Sequence, residues 1–273
     1  MAKRSNFLIA LSLIIIPILP STGLPYVLPS SQIIAIMTNK FANIKTLRII
    51  QHTKIKDLNQ EKEKAFGEIV SLGSPYLYRS EIPGQPGKRL IIHNSPKTLR
   101  IINGSITYDG ESYDFIYRFL LLAHDPERLS EMLKEVGINI DKVFLTRFEG
   151  KIAYLIGEKE EGSARLLVDK EQFLPILLKY GDYLFHFSDY FEFMEHAWYP
   201  FQIVYSCKGD ITEEYTVKDI KANLPIDVSL FDIPQIRAQF SKFKGNPNIE
   251  YRNTKQMRNS KYQMFKTIFA LYQ

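Results

Sequence analysis

VFLTRFEGKIAYLIGEKEEGSARLLVDKEQFLPILLKYGDYLFHFSDY, residues 143–190, is built of short apolar or alternating runs separated by glycine-bearing breaks. Carried on to Pro234, the pattern predicts strands at Val143–Phe148, Lys151–Glu158, Ser163–Val168, Leu174–Tyr180, Tyr183–Phe193, Tyr199–Cys207 and Ile211–Ile220. The breaks are Glu149-Gly150, Gly162, Gly181-Asp182 and Lys208-Gly209-Asp210. Tight turns at nearly regular spacing join neighbours by hairpins, so the expected arrangement is an antiparallel meander.

Upstream, Ser30 or Ser31 is placed to cap a helix running to about Ile44, with Ile33, Ile34, Met37, Phe41 and Ile44 along one face. Strands are expected at Leu47–Lys56, Phe66–Leu72, Tyr76–Ile82, Arg89–His93 and Thr98–Ile102, and Asn103-Gly104 turns the chain into Ser105–Tyr108. The charged stretch Asp57–Lys64 and the Pro83–Gly87 segment read as loops. Helical sequence then interrupts the strands. Ser112–Ala123 is apolar round most of its girth, through Phe115, Phe119 and Leu122 with Tyr113, Ile116 and Leu120 beside them. Asp125 caps the next helix, Pro126 occupies its first turn, Leu129, Met132, Leu133 and Val136 face inward, and Gly137 stops it.

Composition sets outer limits. At 273 residues, 45% hydrophobic and 24% charged, the chain is long and apolar enough for a full core. Lys3 and Arg4, the apolar run Phe7–Leu19 and the small residues Ser21-Thr22-Gly23 predict a signal peptide over 1–23. Thirteen residues interrupted by Pro17 fall short of the ~20 a spanning helix needs. Cys207 is the one cysteine, so no internal disulfide forms and no lipid-anchored N-terminal cysteine follows cleavage. A soluble, periplasmic mature chain is expected, with its body over 24–234 and a tail over 235–273, either helical or disordered.

Charge is divided along the same lines. The tail holds eight Lys and Arg against Glu250. Taking these, Lys3 and Arg4 from the totals of 35 basic and 30 acidic residues leaves 25 and 29 in the body. The body is mildly acidic, and no nucleic-acid partner is expected of it.

Catalytic signatures are missing from the sequence: it has no phosphate-binding glycine loop, nucleophile elbow or paired metal cysteines. Asp189, Glu192, Glu195 and His196 form the densest polar group, and it reads as a solvated strand end. Nothing in the sequence brings His186 to Cys207. No catalysis, metal or cofactor is therefore expected.

There is, however, more apolar strand surface than one sheet with a wet face requires. Leu90 and Ile92 flank Ile91, Ile152–Ile156 and Leu166–Val168 are apolar on both parities, and Phe185, Phe187, Phe191 and Phe193 share one. A filled sandwich or closed barrel would account for this. So would an open, curved sheet whose concave face is covered by helices able to move aside for an apolar ligand.

A set of weak motifs in fixed order favours the second form. Gly67-x-Ile69-x-Ser71 leading to Ser74-Pro75-Tyr76-Leu77-Tyr78-Arg79-Ser80-Glu81, then Leu166–Lys170 with Leu174-Pro175, resembles the periplasmic outer-membrane lipoprotein carrier (LolA-like) superfamily. Tyr199–Ile203, Tyr215–Ile220, Asn223–Ile226 and Leu230–Pro234 resemble its closing strands. The resemblance implies an α+β fold, mainly antiparallel β: an open half-barrel sheet with an α-helical lid on its concave face. It implies a carrier of lipoprotein or lipid acyl chains, loaded by an inner-membrane donor and emptied to an outer-membrane acceptor. The alternative is a lipid- or lipoprotein-sensing module of the same fold acting with a membrane partner. Tyr78 falls where the family places an aromatic facing the cavity, and Ser74 stands where members carry a basic residue. The expected cavity lining is Tyr78, Leu90, Ile92, Phe185, Phe187 and Trp198. The expected lid residues are Ile33, Met37, Phe41, Phe115, Phe119, Leu122, Leu129 and Leu133.

Overall fold

The computed structural model describes residues 27–56, 63–73, 76–111 and 116–241. The expected signal segment, Ser74, Phe115 and nearly all of the basic tail lie outside these residues.

Thirteen strands form one antiparallel sheet. In chain order they are β1 (Thr46–Lys56), β2 (Glu63–Gly73), β3 (Leu77–Glu81), β4 (Arg89–Asn94), β5 (Lys97–Ile102) and β6 (Ser105–Glu111). After two helices follow β7 (Val143–Phe148), β8 (Lys151–Gly157), β9 (Arg165–Asp169), β10 (Pro175–Tyr180), β11 (Tyr183–Met194), β12 (Ala197–Cys207) and β13 (Asp210–Ala222). Across the sheet the order is β6-β5-β4-β3-β2-β1-β13-β12-β11-β10-β9-β8-β7. Two meanders thus meet along a central seam where β1 pairs with β13, with Thr53 opposite Tyr215. The sheet does not close. Strands β6 and β7 are its two edges, and its curvature makes it a half-barrel.

Turn chemistry produces this regularity. Both central residues of the turns Asn103-Gly104, Glu149-Gly150 and Lys208-Gly209 have positive φ, the form whose twist matches a two-residue hairpin. Gly157 is needed on two counts: its φ is +123°, and a Cβ there would come within 2.6 Å of the Ala164 carbonyl oxygen.

Helix α1 (Ser30–Asn39) starts from Pro29, and no side chain caps it; neither Ser30 nor Ser31 does so. Beyond Asn39 the chain continues through i→i+3 turns, Phe41 N–H to Thr38 O and Ile44 N–H to Phe41 O, and so Phe41 and Ile44 stay on the buried side. The helix proper is shorter than expected because Thr38, Asn39 and Asn43 are poor helix formers. A single turn, α2 (Ile116–Leu120), precedes α3 (Pro126–Glu135). The Asp125 carboxylate accepts the Arg128 N–H at 3.0 Å and caps α3, and Gly137 at φ +90° ends it. These helices cover the concave face, with α1 packed on α3.

The outer face has cover of its own. A 3-10 turn at Val228–Phe231 and helix α4 (Ile233–Ser241) bury Phe231, Ile233 and Ile236 against Leu90, Ile92, Leu99 and Ile101. The packed body therefore runs on through α4 to Ser241. A third cluster gathers Ala153, Leu155, Leu167, Ile176 and Leu177. Among the described residues no helix is long and apolar enough to cross a membrane.

Candidate functional site

The concave face is one apolar surface, and helices occupy it. From the sheet it draws Leu47, Ile49, Val70, Leu72, Tyr78, Tyr154, Ile156, Leu178, Phe185, Phe187, Ile203 and Val217. Ile33, Met37, Phe41 and Leu133 from the lid are wholly sealed from solvent, and Phe119, Leu122 and Leu129 are nearly so. Tyr117 stacks on Phe185 with ring centroids 4.1 Å apart, and Phe185 stacks in turn on Tyr205 at 4.8 Å. Phe119 meets Tyr76 edge-on at 5.2 Å and tilts against His93 at 5.5 Å. Near the junction of α2 and α3 a pocket of about 60 Å³ remains, lined by Gly73, Tyr76, Phe119, Leu122, Leu129 and Met132 among others. That is far below the roughly 300–1,000 Å³ of a small-molecule pocket. Where the helices pack, lid side chains fill the groove.

The expected residues separate into groups. Tyr78, Phe185 and Phe187 are brought together with the seven described lid residues in one cluster. Trp198 is half-buried at its margin. Leu90 and Ile92 are not there: they point to the outer face, under Phe231 and Ile236, and Ile91 takes the inward place. Because β4 is covered on both sides, all its residues before Asn94 are buried and no alternation marks which parity faces inward.

Within this apolar face lies a buried polar knot. The Glu68 carboxylate, fully sealed, accepts hydrogen bonds from Gln51 Nε2 and Thr53 Oγ1, each at 2.8 Å, and from Ser80 Oγ and Arg89 Nη1. Arg89 also lies 3.8 Å from Glu213, whose carboxylate accepts the Tyr215 hydroxyl. Burial alone pushes the Glu68 carboxyl up, but the Arg89 and Arg118 charges and the two hydroxyls outweigh it and hold it below its ordinary value. Arg118, on α2, extends over the rings of Tyr78, Tyr117 and Tyr215 at 4.3, 4.8 and 5.2 Å. Two signals in the sequence mark this knot: Glu68 shares the parity of Val70 and Leu72, and Arg118 interrupts an otherwise apolar run.

The polar strand end behaves differently. His196 and Glu195 are almost fully exposed, and Glu192 accepts the His196 backbone N–H at 2.7 Å as part of the turn. Among the described residues no group of three His, Cys, Asp or Glu is placed to hold a metal ion. Burial raises the Cys207 thiol above its ordinary value, away from the thiolate form that a nucleophile requires.

No protein-family profile matches the sequence, and no curated protein does. Solved structures do match. A domain assigned as an outer membrane lipoprotein-sorting protein from Vibrio parahaemolyticus aligns with a TM-score of 0.51 at 8% identity, over 76% of this chain and 97% of its own. A LolA superfamily protein from Nitrosomonas europaea aligns with a TM-score of 0.50 at 8% identity, over 77% of this chain and 100% of its own. An unclosed antiparallel sheet with helices on its concave face, matched over nearly the whole of both structures, is the LolA-like fold, and this chain has it.

Proposed function

We propose that the chain is a periplasmic carrier that binds the acyl chains of a lipid or lipoprotein on its concave face and delivers them toward the outer membrane. One observation carries the reading: the apolar groove is filled by side chains on segments that belong to no strand ladder. The strand order runs unbroken from β6 to β7 without them.

The energetics require such a lid. Burial of an acyl chain stabilises a complex by about 0.8 kcal/mol per methylene, so a chain of ~15 would contribute on the order of 12 kcal/mol and leave very slowly. Lid side chains that lose their own burial on opening offset most of that gain. The small remainder is what a carrier needs, because an acceptor can overcome it. The work is binding and release, with no chemistry on the cargo.

Delipidated protein mixed with acyl donor vesicles is expected to take up acyl lipid, read by native mass spectrometry, and to return it to acceptor vesicles. A groove that stays filled by its own side chains, with no uptake, would sink the proposal. The eight basic residues of 235–273 favour one variant, a sensing module that works with a membrane partner. Removing residues 242–273 separates the two: a simple shuttle retains uptake and delivery, and a partner-dependent module keeps uptake but loses its partner.

A further inference from the structure

Arg118 is a charge placed where the lid is otherwise wholly apolar. Tyr117, Phe119, Leu120, Leu121 and Leu122 on either side are all buried in the groove. An apolar residue at this position would plug the groove better, since burying a guanidinium costs several kcal/mol before compensation. Arg118 is nine-tenths buried, and its Nε has no hydrogen-bond partner. Among the described residues Arg118 forms no ion pair, and the Glu68 charge reaches it only through space. The nearby carboxylates are engaged elsewhere: Glu68 accepts from Gln51, Thr53, Ser80 and Arg89, and Glu213 from Tyr215.

What touches the Arg118 guanidinium is aromatic, with the Glu68 charge behind it. The rings of Tyr78, Tyr117 and Tyr215 lie within 5.2 Å of its guanidinium carbon. A ring attracts the cation through its face, whereas the N–H donors lie in the plane of the guanidinium and point outward from its edge. Such a cage holds the charge in place while Nε is left without a hydrogen-bond partner. A planar fork of N–H groups in dry surroundings suits the oxygens of a carboxylate or phosphate.

The geometry points to Arg118 as the residue that reads an anionic head group, so that the preferred cargo is an acidic single-headed amphiphile such as a fatty acid or an alkyl phosphate. This rests on the carrier reading above. The acyl chain takes the groove now filled by lid side chains. The head group lies at the aromatic cage, beside the polar knot of the seam and not at the rim of the sheet.

The test compares hexadecanoate, its methyl ester and hexadecyl phosphate on the delipidated full chain, with affinities read by calorimetry. One charge-assisted pair corresponds to an acid-over-ester preference of about tenfold or more. That preference is expected in the wild type, is expected to fall to near one in Arg118→Gln, and is expected to survive in part in Arg118→Lys. Thermal melts of both variants report whether each is folded, and the lysine variant carries the test if the glutamine variant is not. Equal affinity for acid and ester in the wild type, or a preference that persists without Arg118, overturns the inference and leaves the carrier reading standing. Binding of no probe removes both. Inorganic phosphate that stabilises the wild type but not Arg118→Gln, with no gain from an attached chain, would assign the cage to a free anion and overturn the head-group proposal.

Discussion

Glu68 has no solvent contact, yet it remains the ionised centre of a knot that joins β1, β2, β3 and β4. The Arg89 and Arg118 charges and the Ser80 and Thr53 hydroxyls hold its carboxyl below its ordinary value against the effect of burial. A depressed folded-state value means that its stabilisation is present above the ordinary carboxylate range and is lost as pH falls through the depressed value. Glu68→Gln is expected to lower stability by about 3 kcal/mol, because Arg89 is left buried with only the more distant Glu213 as counter-charge. Urea titration at neutral pH measures the loss, and the same variant should show a flatter fall in stability below pH 4.5 than the wild type. Tyr78 contributes to the same region in another way: burial pushes its phenol up to about 12, so it remains a neutral ring beneath Arg118. At this scale the sequence is informative about apolar side chains and poor on polar ones. The inward roles of Phe185 and Phe187 follow from their shared parity. Glu68, Arg89 and Arg118 are indistinguishable by residue type from solvated charges, because only partners distant in sequence make their burial tolerable.

The lid helices differ in how plainly the chain announces them. Local chemistry specifies α3 completely, with its Asp125 cap, Pro126 in the first turn and Gly137 at the end. The spacing of Ile33, Ile34 and Met37 fixes α1, and Phe41 continues its buried side in the turns that follow. The segment around α2 carries no clean stripe because every residue from Tyr117 to Leu122 is buried, and a segment buried all round has no polar face to mark its phase. Phe41→Ala tests the element. Removing a fully buried ring is expected to cost about 3–5 kcal/mol in chemical denaturation. In the carrier reading the same change should raise acyl affinity, since less lid burial must be given up on loading. Affinity that falls in step with stability would instead mean that Phe41 belongs to a static core.

Over the whole molecule, the antiparallel meanders could be read from turn spacing and their open form from the family resemblance, but the outer cover could not. Past Pro234 the alternation simply stops, and α4 is a short helix whose Ile233 and Ile236 have meaning only against Leu90 and Ile101 on distant strands. Arg79 ties the same region down by donating from Nη1 to the Leu230 carbonyl at 2.9 Å. A chain ending at Asp232 is expected to lose several kcal/mol relative to one ending at Ser241, at about 1.5–3 kcal/mol per buried isoleucine. Thermal melts of the two truncations decide it, and equal stability would show α4 to be dispensable. The strand order has a further consequence, for the path by which the molecule is made. Every ladder joins strands consecutive in the chain except the central seam, which pairs opposite ends of the body. Each meander can form from local hairpins, while the seam must close the whole stretch from β1 to β13 into a loop and meets the largest entropic barrier. Amides of Thr53 and Tyr215 are therefore expected to gain protection last in pulse-labelled refolding. Until they do, the two meanders are independent ribbons, and each still lacks the partner strand that joins it to the other half of the groove.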